Sequence, residues 1–141
     1  MDYQRNVARL IGEVFTALSR QLDKELRAAD LPITPEQFRI LTELWTQDGI
    51  TQIELAARGK RDRASITRIV DLLEEKGLIA RHDDPNDRRV KLICLTPPGR
   101  ALEQKARPAA QRAIAATLAP LTAEERQALT ALLEKIKARG E

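Results

Sequence analysis

Residues 62–77 read DRASITRIVDLLEEKG, and residues 78–96 continue LIARHDDPNDRRVKLICLT. The first stretch is helical by its spacing. Ile66, Ile69, Val70 and Leu73 fall at i, i+3, i+4 and i+7, one apolar stripe on a 3.6-residue period. Asp62 stands where an N-cap belongs, and Gly77 where a glycine closes a helix. The period then changes. Leu78–His82 and Val90–Leu95 are short and rich in β-formers, and the turn-forming run Asp83-Asp84-Pro85-Asn86-Asp87 separates them. Together they predict a β-hairpin with a long tip.

Outward from this pair, every segment reads as helix. Thr51-Gln52-Ile53-Glu54 is a capping box opening a short helix that holds Ile53, Leu55 and Ala56 and ends at Gly59. Thr34-Pro35-Glu36-Gln37 joins a capping threonine to a first-position proline. That helix runs through Phe38, Leu41, Leu44 and Trp45 and stops near Asp48-Gly49. Val7, Leu10, Ile11, Val14, Leu18, Leu22 and Leu26 describe one long amphipathic helix from about Gln4 to Ala29, broken by Pro32. Thr96-Pro97 starts another, to about Leu118, in which Pro108 removes a backbone donor to residue 104 and predicts a kink. Thr122 and Glu125 box the last helix, which presents Leu129, Leu132, Leu133 and Ile136. The fold class is mainly α with a small β-hairpin. A single domain covers 1–141, with a winged helix-turn-helix at about 34–96 between helical segments at about 4–30 and 97–139.

Composition narrows the function. The chain has 141 residues, enough for one domain, and is 43% hydrophobic and 32% charged, a globular balance. Aromatics at 3% argue against a stacking platform for single strands. One cysteine forbids an intrachain disulfide, and one histidine argues against a Cys/His zinc site. No apolar run is long enough for a membrane span, and Asp2, Arg5, Arg9 and Glu13 do not suit a signal peptide, so a cytoplasmic location is expected. There is no glycine-rich phosphate loop and no partner for His82 in a nucleophilic triad. No catalytic residue, metal or cofactor is expected. His82 itself reads as an exposed structural residue, Cys94 as a small core residue, and Phe38 and Trp45 as core.

The charge is more telling in its distribution than in its total. Residues 58–68 hold Arg58, Lys60, Arg61, Arg63 and Arg68 against Asp62 alone, a local +4 that exceeds the whole chain's +3. A basic patch on a near-neutral body suits phosphate contact. With the apolar stripe turned inward, the opposite side of the helix carries Ala64, Arg68 and Asp71, flanked by Ser65 and Thr67, with Arg63 near its N-terminal end. These are side chains of the kind that read base edges in a major groove. The hairpin tip adds Arg88, Arg89 and Lys91, where an arginine can enter the minor groove. Asp87 beside them suits pairing with an arginine or bonding the turn backbone. The expected DNA-binding residues are therefore Lys60, Arg61, Arg63, Ser65, Thr67, Arg68, Arg88 and Arg89, with Asp87 organising the tip.

These residues resemble a known family. The run Asp87-Arg88-Arg89-Val90-Lys91-Leu92-Ile93-Cys94-Leu95-Thr96 is similar to the wing signature of the multiple-antibiotic-resistance regulator (MarR) family, and Ser65–Ile79 resembles that family's recognition helix and its entry into the wing. The resemblance implies a homodimeric transcriptional repressor or activator, repression being the family's general mode, on a palindromic double-stranded operator. The N-terminal helix and the last two helices would form the dimer, and a small phenolic or lipophilic ligand would release it. It also implies that Arg89 enters the minor groove. Gly59-Lys60-Arg61 departs from the family's more hydrophobic turn, so loose packing is expected there. The alternative reading is a winged-helix module that docks on protein without operator binding.

Overall fold

The computed structural model describes residues 2–140, the side chains of 3–5 excepted. The order is α1 (Tyr3–Ala28), α2 (Pro35–Thr46), β1 (Ile50–Thr51), α3 (Gln52–Arg58), α4 (Arg63–Glu75), β2 (Ile79–Asp84), β3 (Asp87–Leu95), α5 (Pro97–Thr117) and α6 (Ala123–Arg139).

Most helix ends are set by the residues that the sequence singles out. At α2 the box is complete: the Gln37 amide donates to Thr34 Oγ1, and the Thr34 amide donates to Gln37 Oε1, both at 3.2 Å. Thr122 and Glu125 do the same for α6. At α3 only half of the expected box forms. The Glu54 amide donates to Thr51 Oγ1, but the Glu54 carboxylate takes the Thr51 hydroxyl at 3.1 Å, and Thr51 itself belongs to β1. Gly77, at φ +74°, closes α4: the Leu78 amide reaches back to the Leu73 carbonyl at 3.0 Å and the Gly77 amide to Glu74 at 2.9 Å. Asp30, at φ +56°, closes α1 with the same pair of bonds, and its Leu31 amide reaches Leu26 at 3.0 Å.

The sheet corrects two expectations. It has three antiparallel strands in the order β1–β3–β2, not two. Ile50 and Thr51 pair with Ile93 and Leu92. Two residues are too few to carry an alternation, so nothing in the local pattern announces β1. The hairpin tip is also tighter than the turn-rich run suggests. Strand β2 continues to Asp84 and β3 begins at Asp87, so only Pro85 and Asn86 form the turn. Its closure is an Asx bond, the Asn86 amide donating to Asp84 Oδ1 at 2.8 Å.

The core gathers α2, α3, α4 and β3 on the C-terminal half of α1. Leu26, Leu41, Leu44, Leu55, Ile66, Ile69, Val70, Leu73 and Ile93 are fully buried. Burial of the four α4 side chains alone is worth about 2 kcal/mol each. The long stripe of α1 divides. Leu22 and Leu26 are buried, whereas Val7, Leu10, Ile11 and Val14 are 41–52% exposed. Helix α5 meets α1 through small residues, Ala106, Ala109 and Ala113, all buried, and Arg112 bonds Glu25 of α1 at 3.0 Å. The helix runs unbroken through Pro108, which is exposed, as is Gln104, whose carbonyl loses its partner there. Helix α6 buries none of its residues, and Leu132, Leu133 and Ile136 are 48–64% exposed.

The turn at Gly59 is tight rather than loose. A Cβ there would lie 2.8 Å from Ile40 Cδ1, and the left-handed conformation falls on Lys60, at φ +50°. The most crowded of the glycines is Gly99, at the start of α5. A Cβ on Gly99 would lie 2.0 Å from the Leu78 carbonyl oxygen. Around that contact, the Thr96 amide donates to the same carbonyl at 3.1 Å, the Thr96 hydroxyl to Gly77 at 2.6 Å, and Trp45 Nε1 to the Gly99 carbonyl at 3.0 Å. Gly99→Ala is therefore expected to destabilise the fold by at least about 2–3 kcal/mol, read as a lower urea midpoint with an unchanged m-value. A parental midpoint would mean that this joint is loose.

Candidate nucleic-acid interface

Helices α3 and α4 form the helix-turn-helix, and the β2–β3 hairpin follows α4 directly as a wing. Arg81 of β2 fixes one to the other, bonding Asp71 at 2.6 Å and Glu74 at 2.7 Å. Asp71, read from sequence as part of the outer face, is thereby committed to the wing.

The eight expected contact residues divide by what already holds them. Lys60, Arg63 and Arg88 are exposed, and their side chains make no hydrogen bond or ion pair to another described residue. The others are engaged. Ser65 Oγ donates to Asp62 Oδ2 at 3.0 Å. Thr67 Oγ1 donates to the Arg63 carbonyl at 2.9 Å and accepts from Gln52 Nε2 at 2.8 Å. Arg68 Nη2 donates to Glu36 Oε1 at 2.7 Å, and Arg61 Nη1 to Glu36 Oε2 at 3.4 Å. Arg89 closes on Asp87 with Nε and Nη2 at 3.1 and 3.2 Å, and its amide donates to the same carboxylate at 3.0 Å. The arginine ends of the Arg68 and Arg89 pairs are exposed, and such pairs are weak enough to be exchanged for phosphate; Arg61 is half-buried.

The wing is irregular where its arginines lie. The register passes from Asp83 opposite Lys91 to Asp84 opposite Asp87, so residues 88–90 have no partner across the hairpin. Lys91 pairs with Asp83. The irregularity frees Arg88, and Arg89 takes its direction from Asp87. His82 is exposed, and Cys94 is half-buried; burial first, then the Asp48 charge, pushes its thiol up, the opposite of a reactive thiolate.

Three features are not legible from local spacing. Glu36 lies 25 and 32 residues from the arginines that it holds. Gln52 meets Thr67 across the helix pair, and Ile53 is 69% exposed beside it, lining a shallow groove between α3 and α4. The third is a cleft between α1, α2 and α5 of about 190 Å³, lined by Phe15, Leu18, Leu22, Phe38 and Arg39 together with two alanines and Ile114 of α5. Phe38 is thus core on one side and cleft wall on the other. Arg39 lies 5.0 Å from the Phe15 ring centroid, and its buried Nε has no hydrogen-bond partner. Burial, and then the repulsion of Arg61, hold Arg39 below the ordinary arginine value, while Glu36 opposes them. Among the described residues no group of His, Cys, Asp and Glu gathers as a metal site, and no helix is long and apolar enough to cross a membrane.

Comparisons with known proteins agree with this geometry. The model of the MarR family matches residues 33–91. The multiple antibiotic resistance protein MarR of Salmonella typhimurium is 37% identical over 129 residues, 89% of this chain and 90% of that one. The chain spans less of two further curated relatives, 64% and 63% of their lengths. A mutant MarR of E. coli complexed with operator DNA is similar at a TM-score of 0.86 and 31% identity, covering 96% of this chain and 99% of that one. A Bordetella bronchiseptica protein whose DNA binding is regulated by 6-hydroxynicotinic acid is similar at a TM-score of 0.86 and 27% identity, covering 97% and 96%.

Two carboxylates of the interface are held below the ordinary aspartate value of 3.8: Asp62 first by the Ser65 amide and then its hydroxyl, Asp87 first by the Arg89 side chain and then its amide. Depressed folded values mean that both contacts contribute fully above the unfolded value and are lost as pH falls through the folded one. In an acid titration, the Ser65 and Arg89 amide resonances should move with midpoints below the ordinary aspartate value. Midpoints above the ordinary aspartate range would contradict these contacts.

Proposed function

This chain belongs to the MarR family, and from that premise we propose that it is a homodimeric, operator-binding transcriptional repressor released from DNA by a small aromatic ligand. One observation carries the DNA reading. Lys60, Arg63 and Arg88 are charged, exposed and uncommitted, at the head of α4 and on the wing, in a frame that matches an operator-bound structure over 96% of its length. Arg63 would meet base edges or phosphate from the N-terminal end of α4, and Arg89 would leave Asp87 for the minor groove.

The dimer reading rests on what α1 and α6 leave uncovered. A helix of 17 residues with no buried side chain is marginal in water, and the exposed Leu132, Leu133 and Ile136 suit a second copy. The same holds for Val7 to Val14 of α1. The ligand reading rests on the cleft between α1, α2 and α5. An aromatic acid would lay its ring against Phe15 and Phe38 and its carboxylate on Arg39, whose Nε is buried without a partner. The Bordetella protein's effector, 6-hydroxynicotinic acid, is an acid of this class.

A salt titration of duplex binding tests the reading. Log affinity should fall linearly with log salt, and Arg63→Ala and Arg89→Ala should each flatten the slope by about 0.9. Added 6-hydroxynicotinic acid should release the parent protein, and Arg39→Ala should require roughly tenfold more. Salt-independent binding, or none, would favour the protein-docking alternative.

A further inference from the structure

One carboxylate ties helix α2 to α4 and to the turn before it. Glu36 lies in the first turn of α2, its side chain 31% exposed. One oxygen takes Arg68 of α4 at 2.7 Å, and the other takes Arg61 of the α3–α4 turn at 3.4 Å. Arg39, one turn further along α2, feels the same charge. The neighbouring residue holds the other end of α4: Gln37 Oε1 accepts from Lys76 Nζ at 2.8 Å, and Lys76 also donates to the Pro32 carbonyl at 2.7 Å. The first turn of α2 therefore holds α4 at its middle, at the turn before it and at its C-terminal cap.

We propose that Glu36 is a positioning residue for sequence discrimination: it fixes the direction of Arg68 and withholds Arg61 and Arg68 from indiscriminate attraction to phosphate. This assignment rests on the DNA-binding reading above. A guanidinium has five donors, and the bond to Glu36 leaves the rest free. Arg68 is 60% exposed, so a groove can reach it while one edge stays anchored. An unanchored arginine swings to the nearest phosphate, a contact that carries no sequence information. Partial neutralisation lowers that non-specific term, and fixed direction preserves the specific one.

The test compares parent, Glu36→Gln and Glu36→Asp on an operator recovered from a random pool and on random-sequence duplex. Glu36→Gln keeps the shape and removes the charge. It should bind random duplex roughly three- to tenfold more tightly at low salt, with a log–log slope steeper by about 0.9 to 1.8. The operator-to-random ratio should fall roughly tenfold. Glu36→Asp, charged but shorter, should keep the parental slope and lower the ratio. In an Arg61→Ala/Arg68→Ala background, Glu36→Gln should no longer change the slope or the ratio. A Glu36→Gln protein with parental slope and ratio overturns the assignment. So does a fall in ratio that persists when both arginines are gone. A parent indifferent to salt and sequence overturns the DNA-binding reading itself, before any variant is compared.

Discussion

The start of α5 lies on the Leu78 carbonyl with no room for a Cβ at Gly99, and much of the molecule depends on that contact. Leu78 stands between the end of α4 and the start of the wing. Its carbonyl also takes the Thr96 amide that begins the next helix. Trp45 adds α2 through its bond to Gly99, and Asp48 adds the α2–β1 corner, accepting from Leu95 at 2.8 Å and pairing with Arg100. Four elements converge where the reading head joins the helical frame.

The second organising fact is electrostatic. The basic residues that would face DNA are largely arranged beforehand by carboxylates: Glu36 on Arg61 and Arg68, Asp87 on Arg89, Asp83 on Lys91. The wing pairs are exposed and add little to stability, while Glu36 and Arg61 are half-buried. Their effect is on direction and on net field. Lys60, Arg63 and Arg88 lack such partners among the described residues and supply the charge that salt would screen.

What the sequence reveals follows the range of the interaction. The caps at Thr34, Asp62 and Thr122 act within three residues, and each is legible. The stripe of α4 is legible because its period is local and its four apolar residues are all buried. The stripe of α1 reads correctly as a helix face, but spacing cannot tell that Leu22 and Leu26 meet this chain's own core while Val7 to Val14 do not. Strand β1 is invisible because its two residues become a strand only against Ile93 and Leu92. The tip misleads because Asp83 and Asp84, turn formers by composition, are pulled into β2 by pairing. Glu36 reads as part of a cap; its grip on Arg68 exists only once α2 and α4 are packed. The basic cluster is legible as charge, but the partners that direct it are not.

The most direct measurement is selection of bound duplexes from a random DNA pool with the purified protein. Two copies joined through α1, α5 and α6 would present two recognition helices and two wings related by a two-fold axis. The expected product is an inverted repeat with half-site centres about one helical turn apart. No enriched sequence, or a single half-site without symmetry, would contradict a dimeric reader of DNA.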